Sequence, residues 1–566
     1  MDKLEYTSFK LGGQTGELLE KISKHWLIGI RESNPAILTM FRDRNIVPYR
    51  PFLSWSGEFA GKYLTSAAYV YEAIRDVELY TYATEFADEL INYQQDGYLG
   101  CFPDECRLSG YATPNDTQTS TWDSWGHYHI AYGLLRWYEI TKKDSYIYAV
   151  EQIADLYIKT FYNGKPTILS IGFPEMNLAV YHLFGLLYRL TKKQKYLDFA
   201  FLIEKDVESE GAGRYLSYAL EGYEYYQCPK PRWESMHIIM GYLEMYRNTG
   251  SQQYLDATKK IFYSILKTDV HNTGAFSTDE AAIGTPYKEG SIETCCVIAY
   301  NALAVELYYI TGDIKILDFL EISHYNAIMG NNSVSGRWCT YDTPMDGEKC
   351  ASFQSIGFQC RPGSPMLNCC SVNAPRGVAT PREWCLTEEN GVLYVNSYEA
   401  MKANLCDGLS ITIKGNYPAE NKVTILFDTI VKKRKTAFRI PVWSKQTTVT
   451  INGKVYSPPA NSYFYAEVDG TTEVIIEFDF SAKILTHENK ASIYIGPVLY
   501  GFDACDNPNI RIDAIPELSF SELKNSIPVS SEKGIMLVTA SGIVLKDFYH
   551  LGQDGSSYKS WLPWKN

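Results

Sequence analysis

Two stretches of the chain hold side chains whose types and spacing suit metal chemistry. They are Glu293-Thr-Cys295-Cys296 and, far along the chain, Asn368-Cys369-Cys370-Ser-Val-Asn373. The first opens an apolar, helix-like run (VIAYNALAVELYYITG), and a cysteine in a first helical turn has its thiolate stabilised by the helix dipole and free N–H groups. Glu293 sits in a non-helical entry, where its side chain and that of Cys295 can face one point. One carboxylate and three thiolates would make a tetrahedral zinc site. The spacing is not that of a zinc finger, since no paired C-x2-C occurs, and buried free cysteines are the competing reading.

A second group of residues suits sugars. His127 lies in TWDSWGHYH beside Trp122, Asp123 and Trp125, and is preceded by QQDGYLG, with Gln95 and Tyr98. Trp55 and Glu58 (WSGEF) stand before another helix. Glu280, in TGAFSTDE, precedes Glu293 in a loop beside Asp279; held against an apolar wall it would have the raised pKa of a general acid. Each has a bland alternative: a helical histidine is usually packed and satisfied, and a loop carboxylate is usually solvated. The 45 tyrosines and 11 tryptophans suit sugar rings, though large helical cores use them too.

The elements that must position these residues divide the chain in two. From about residue 15 to 330 apolar residues recur at three- and four-residue steps, as in Ile130, Leu134, Leu135, Trp137 and Tyr138. A phrase returns: YEITKKDSYI, YRLTKKQKYL, YRNTGSQQYL and YYITGDIKIL, with YEAIRDVELY a weaker copy. Each predicts a helix ending in Thr-Lys or Thr-Gly, a short turn and a new helix. The threonines Thr141, Thr191, Thr249 and Thr311 recur at the length of a helical hairpin plus its return loop. A closed ring of hairpins, the (α/α)6 toroid, suits the variable loops better than an open solenoid. After about residue 380 the period becomes two, as in LSITI, VTILF, VTINGK and VIIEF, with a hairpin signal at Asn452-Gly453. The expected domains are a barrel over 1–380, including a loop-rich cysteine segment at 331–380, a β-sandwich over 381–485, and a second sandwich or β-extension over 486–566.

At 566 residues the chain is too long for one core. With 45% apolar and 21% charged residues it reads as globular. The net charge of −13 argues against nucleic acid as a partner. No uninterrupted apolar stretch of membrane-spanning length occurs, and MDKLEYTSFKLGG has no signal-peptide core. The 13 cysteines, odd in number and thinly spread, suggest reduced thiols. A cytoplasmic protein without membrane partners is expected, and a homodimer is compatible with these features.

AFSTDE, IETCC, TYDTPMDG and NCCSVNAPRG, in this order, resemble the motifs of the β-L-arabinofuranosidase family, glycoside hydrolase family 127. QQDGYLG, WDSWGH, RIPVWSKQTTVTINGK and ASIYIGPVLYGF carry the resemblance over nearly the whole chain. It implies an (α/α)6 barrel followed by β-sandwiches, and a retaining glycosidase acting on an oligosaccharide or other glycoside. It also implies zinc (Zn2+) bound by Glu293, Cys295, Cys369 and Cys370, with Cys369 as nucleophile and Glu280 as acid/base. His127 matches a substrate-contacting histidine and Asp346 takes the place of an acidic pocket residue; Trp55, Glu58, Gln95 and Tyr341 are expected to line the same pocket. The chain departs from the family in three places. The interval from Glu280 to Glu293 is shortened, Gly172-Phe173-Pro174-Glu175 stands where Gly-His-Pro-Glu is usual, and Cys-Cys-Ser-Val-Asn replaces Cys-Cys-Pro-Pro-Asn. Chemistry is therefore expected to be shared more closely than substrate.

Two other readings compete. One is another helical-toroid carbohydrate enzyme, such as an unsaturated-uronide hydrolase, using two carboxylates among Glu58, Glu280 and Asp346. The other is a non-catalytic sugar-binding protein with structural zinc. A structural site should be closed by its four ligands, and a catalytic one should open onto the funnel.

Overall fold

The computed structural model describes residues 1–352, 367–428, 433–470, 472–524 and 526–565. Residues 353–366 of the cysteine-rich segment lie outside the described residues.

Six helices form an inner ring: Glu58–Ile74, Asp123–Thr141, Val180–Thr191, Met236–Thr249, Thr294–Thr311 and Cys369–Ala379. Each packs on the next, and the sixth packs on the first, closing the toroid. Behind them stand Val77–Ile91, Asp144–Thr160, Gln194–Val207, Gln252–Thr268 and Ile314–Ser323, while Gly13–Ile22 backs the sixth. The outer helices are one-sided: Gln252–Thr268 buries Tyr254, Leu255, Thr258, Ile261, Phe262 and Ile265, a helical stripe facing the ring. The inner helix Thr294–Thr311 is buried on nearly every side, which accounts for the apolar run seen there. The sixth helix falls in the segment expected to be loop-rich; it is too short, with an internal Pro375, to show a clear helical period.

The repeated phrase has a physical cause. Thr141, Thr191, Thr249 and Thr311 each end an inner helix, and the next residue turns left-handed, with φ of 56°, 56°, 71° and 62° at Lys142, Lys192, Gly250 and Gly312. Each threonine hydroxyl donates to the carbonyl four residues back and accepts the N–H two residues on. That satisfies orphaned groups at the helix end and starts the outer helix at once.

The β-region begins with a seven-stranded sheet, in spatial order Tyr6–Leu11, Met401–Leu405, Ser410–Lys414, Lys422–Asp428, Glu473–Glu477, Thr448–Ile451 and Lys454–Tyr456. Alternate residues Val423, Ile425 and Phe427 are buried, as a half-solvated strand requires. The Asn452-Gly453 turn has φ of 47° and 83°, the positive pair of a tight hairpin. A four-stranded sheet (Ser462–Val468, Arg434–Ile440, Val392–Val395, Leu386–Glu389) completes the sandwich. The third sheet runs from Ala482–His487 through Val498–Asp503 to Val529–Ser531. The N-terminal strand Tyr6–Leu11 belongs to the first sheet, and Asp346–Gly347 pairs with Tyr558–Lys559 of the third. The segment expected to be barrel thus lends strands to both β-units. Arg439, fully buried, bonds Asp318 at 2.8 Å and Glu321 at 2.6 Å on an outer helix, and one continuous core runs from barrel into sandwich.

Candidate active site

The inner helices bring their N-terminal ends to one mouth. The first supplies Glu58 and Lys62, the second Trp125 and His129, and the turn before the fourth Trp233 and Glu234. Glu293 is the N-cap of the fifth, Cys295 lies in its first turn, and Cys369 and Cys370 begin the sixth. The sixth helix starts there because Asn368 and Ser371 form a reciprocal capping box, at 2.9 and 3.0 Å. Glu293 makes no cap hydrogen bond with its side chain; its carboxylate turns to the thiols instead. Thr294 N–H donates to the Tyr341 carbonyl at 2.8 Å, fixing the Tyr341 loop over the cluster.

Glu293, Cys295, Cys369 and Cys370 present ligand atoms that all lie within 4.8 Å of one another. Cys370 Sγ is 3.6 Å from Cys295 Sγ and 3.9 Å from Cys369 Sγ. Glu293 Oε1 is 3.3 Å from Cys370 Sγ and 3.7 Å from Cys369 Sγ. A tetrahedral ion bonded at about 2.3 Å to sulfur and about 2.1 Å to oxygen requires S···S near 3.8 Å and S···O near 3.6 Å. The residues fit such an ion.

Without an ion, burial favours the protonated form of most of these groups. Burial pushes the Cys369 thiol up to about 12, the Cys370 thiol well above its ordinary range, and the Glu293 carboxyl well above the carboxylate range. Only Cys295 is lowered, to about 6: burial opposes its ionisation, but hydrogen bonds from the Cys369 and Cys370 thiols and the Lys62 ammonium outweigh it. Holding all four as anions needs a cation among them. Cys296, also buried, keeps a thiol raised by burial and the Glu293 charge.

Three carboxyls surround the cluster. Glu58, raised to about 7 by burial, accepts from Trp125 Nε1 and from Lys62 at 2.9 Å. Glu234, raised to about 7 by burial, accepts from Arg232 at 2.8 Å. Arg232 also grips Glu280, whose side chain is one-third exposed. Tyr341 Oη lies 3.5 Å from Cys369 Sγ.

The structure therefore gathers Glu293, Cys295, Cys369, Cys370, Tyr341 and Glu58, with Glu280 held at the same mouth by Arg232. It takes other expected residues elsewhere. His127 is fully buried; Nδ1 donates to the Asp123 carbonyl at 2.9 Å and Nε2 accepts from Leu99 N–H at 3.1 Å. Both ring nitrogens are satisfied within the core, so the substrate contact expected of it has no free polar atom. Asp346 Oδ1 accepts from the N–H groups of Ser560 and Trp561, at 2.8 and 3.0 Å, and so clasps its segment to the third sheet. Gln95 is exposed and its amide oxygen accepts from Arg44. Trp55 packs against Trp122 with ring centroids 5.1 Å apart and planes tilted by 37°. Sequence reading missed Lys62, Glu234 and Arg232. The only signal for Lys62 was its position one helical turn after Glu58; Glu234 and Arg232 carried none.

The GH127 catalytic-domain model of β-L-arabinofuranosidases matches residues 36–379, and the GH127 middle-domain model matches residues 392–481. No curated protein matches the chain. Among solved structures, a GH127 β-arabinofuranosidase superposes with a TM-score of 0.81 at 18% identity, covering 100% of this chain and 98% of its own. A GH127 β-L-arabinofuranosidase from Geobacillus stearothermophilus T6 gives 0.76 at 16% identity, covering 99% and 100%. A third, described as a glycoside hydrolase, gives 0.75 at 17% identity, covering 100% and 98%. These likenesses carry the fold. The family model covers more than half of the chain, and with a buried cluster able to hold a metal ion at the barrel mouth, this chain belongs to the GH127 β-L-arabinofuranosidase family and is a glycosidase.

Proposed function

We propose that the protein hydrolyses β-L-arabinofuranosides or closely related furanosides with retention, using Cys369 as nucleophile, Glu280 as acid/base and zinc at Glu293, Cys295, Cys369 and Cys370. Three thiolates form a soft donor set that suits zinc and has little use for magnesium or calcium. The observation that carries the reading is the convergence of the four ligand atoms, all within 4.8 Å of one another, where the inner helices begin. Cys369 Sγ also lies 3.5 Å from the Tyr341 hydroxyl, and Glu280 is held by Arg232 beside Glu234. An open position beside the ligands is what distinguishes a catalytic zinc site from a structural one.

When bound, zinc supplies the charge that holds Cys369 as thiolate at neutral pH. Cys369 Sγ attacks the anomeric carbon and forms a C–S bond as the glycosidic C–O bond breaks, and Glu280 gives its proton to the leaving oxygen. Glu280 then takes a proton from water, whose oxygen displaces sulfur from the same carbon. Two inversions give net retention, with a thiolate in the place of the usual carboxylate nucleophile. Arg232, shared between Glu234 and Glu280, orients the Glu280 carboxyl, and the loop carbonyl of Glu280 accepts from Trp233 N–H at 3.1 Å. A cytoplasmic setting suits the site, because the described cysteines are all free thiols and the nucleophile must stay reduced.

Intact-protein mass spectrometry of Glu280→Gln with 4-nitrophenyl β-L-arabinofuranoside tests this. Nitrophenolate departs without protonation, whereas hydrolysis of the intermediate needs the missing base. One added glycosyl unit should accumulate, mapped to Cys369, and Cys369→Ser should neither label nor turn over. A label on Glu58 would favour the two-carboxylate reading, and a wild-type Glu280→Gln would move the acid/base role to Glu58 or Glu234.

A further inference from the structure

Arg232 stands between two carboxyls. It forks onto Glu234, with Nε 3.1 Å from Oε2 and Nη2 2.8 Å from Oε1, and the same Nη2 donates to Glu280 Oε2. Backbone pairing fixes this arrangement. Trp233 N–H donates to the Glu280 carbonyl at 3.1 Å, and Ala282 N–H donates to the Pro231 carbonyl at 2.9 Å. Arg232 is thereby held opposite Ala281, and Glu234 follows in the turn that leads into the fourth inner helix. Glu234 is 1% exposed, while the Glu280 side chain is one-third exposed.

A general acid must hold a proton when the reaction begins and lose it in the first step. An arginine paired with one carboxylate alone favours the ionised form, which is the wrong starting state. It is also left without a partner each time that carboxyl is protonated, and a half-buried guanidinium without a counter-charge is unfavourable. Two carboxyls on one guanidinium avoid both difficulties. While Glu280 carries the proton, Glu234 is the anion that faces Arg232. Once the proton has passed to the leaving oxygen, the electron pair stays on Glu280, where Arg232 Nη2 already meets Oε2. The water that completes the reaction then returns a proton to Glu280.

We propose that Glu234 is a positioning residue that acts through Arg232: it is the alternate partner that lets one guanidinium serve Glu280 in both of its protonation states. The inference rests on the proposed function, in which Glu280 is the acid/base. Among the described residues only Glu234 shares an arginine with Glu280.

The electrostatics agree. Burial raises Glu234 to about 7, and the Glu280 charge adds to this against the pull of Arg232, so the two carboxyls titrate as a pair around one arginine. Other charges reach the trio without bridging it. Glu175, which Lys230 meets at 3.5 Å, acts on Arg232. Asp279, which Lys288 meets at 3.5 Å, and Asp342 lie on the side of Glu280. Glu293, the Cys296 thiol and the Tyr215 and Tyr225 phenols lie on the side of Glu234.

Methyl and 4-nitrophenyl β-L-arabinofuranosides test the proposal through pH profiles of kcat/KM, whose basic limb reports the acid. Glu234→Gln leaves Arg232 to Glu280 alone. The limb for the methyl glycoside should move down by about one pH unit, an about tenfold loss above it. The nitrophenyl glycoside, which needs no acid, should lose far less. Arg232→Gln should move the limb the opposite way, because Glu280 then faces Glu234 without a cation. A packing defect lowers both substrates together and moves no limb. That result, or shifts of the same sign in the two variants, would overturn the proposal. If Glu234→Gln does not fold, the direction in Arg232→Gln decides. Carbon-13 NMR of protein labelled at the glutamate carboxyls needs no turnover. The resonance lost in Glu280→Gln should titrate at lower pH in Glu234→Gln and at higher pH in Arg232→Gln. If no furanoside is hydrolysed, the proposed function fails, and these titrations still decide whether Glu234 acts on Glu280 through Arg232.

Discussion

Lys62 Nζ stands 3.7 Å from Cys295 Sγ and 2.9 Å from a Glu58 carboxylate oxygen, with its side chain only 2% exposed. Burial opposes its charge, but the Cys295, Glu58 and Cys369 anions outweigh that and hold it above the ordinary lysine range. The Trp125 and Trp233 rings, 5.6 and 5.3 Å from the ammonium, add cation–π attraction. Three thiolates and a carboxylate around a divalent ion leave net negative charge in a dry site, which is unfavourable unless offset. Lys62 is the offset.

Lys62→Met should therefore loosen the metal while keeping the bulk of the stem. A loss of about 10- to 100-fold in zinc affinity is expected, the range of outer-sphere changes at metal sites. Chelator competition at pH 7 measures it. Affinity within about twofold of wild type would show that Lys62 serves packing alone.

The metal should also be a folding element. One zinc per chain is expected, and Cys295→Ser should lower zinc content and thermal midpoint together, since site formation and folding are coupled. Elemental analysis and thermal unfolding of wild type, variant and chelator-treated protein check this. A wild-type protein free of zinc after supplementation would exclude the assignment.

Much of this site was legible because its residues carry local signals. Glu-Thr-Cys at a helix start and Asn-Cys-Cys in a capping box are short-range patterns, and the threonines that end inner helices repeat because the same cap is needed each time. Residues whose roles arise from tertiary contact were not legible. His127 reads as a pocket histidine from its aromatic neighbours, but the chain places Leu99 and the Asp123 carbonyl against its two nitrogens. Nothing local to Asp346 tells that Ser560 and Trp561, some two hundred residues away in the chain, bring their N–H groups to its Oδ1. The strand Tyr6–Leu11 has too few residues to declare a partner nearly four hundred positions on.

The first two inner helices cross at glycines. A Cβ on Gly61 would lie 2.1 Å from the His129 carbonyl carbon, and one on Gly133 would lie 2.4 Å from the Gly61 oxygen. Both obstacles are backbone, so the helices must separate. Gly61→Ala should destabilise the protein by about 3 kcal/mol or more, the range of core overpacking, and shift Glu58 and Lys62 with it. Denaturant unfolding and zinc content should fall in parallel. A variant of unchanged midpoint would contradict this packing.

Glu399 gives a pH signature remote from the metal. It is fully buried, accepts from Thr15 N–H at 3.0 Å, and faces His324, whose own pKa burial lowers to about 3. Burial raises Glu399 to about 7, above its unfolded value near 4.3. The folded state thus prefers the protonated form: the contribution is fully present below about pH 4.3 and lost as pH rises through about 7, on the order of 3 kcal/mol in all. Glu399→Gln keeps the acceptor without the charge. Its thermal midpoint should gain on wild type between pH 5 and 8, and a gap that does not change with pH would refute the argument.

The last prediction concerns how the third sheet reaches the chemistry. The loop from Asp279 to Ile292 carries Glu280, and its tip, Tyr287, stacks on His487 with ring centroids 3.6 Å apart and planes within 1°; Trp561 meets the same ring edge-on at 5.8 Å. The other anchors of the loop are within the barrel: His271 donates to the Pro286 carbonyl at 2.7 Å, and Asp269 accepts from Gly284 N–H at 2.9 Å. Asp279 and Glu280 are both left-handed, with φ of 49° and 64°, so the loop resists its own preferred conformation and needs external support. Removing the stack should let the Glu280 carboxyl drift without touching the thiolate. His487→Ala should then lower kcat/KM about three- to tenfold for furanosides with alkyl leaving groups, which need the acid, and much less for nitrophenyl ones, which do not. Thermal stability should change little, because Tyr287 at the loop tip is exposed. His487→Phe should restore the alkyl substrates by rebuilding the stack. Equal losses for both substrate classes, or no recovery in His487→Phe, would mean that the third sheet acts on the barrel only as a cover, with Glu280 positioned by Arg232 and the barrel anchors alone.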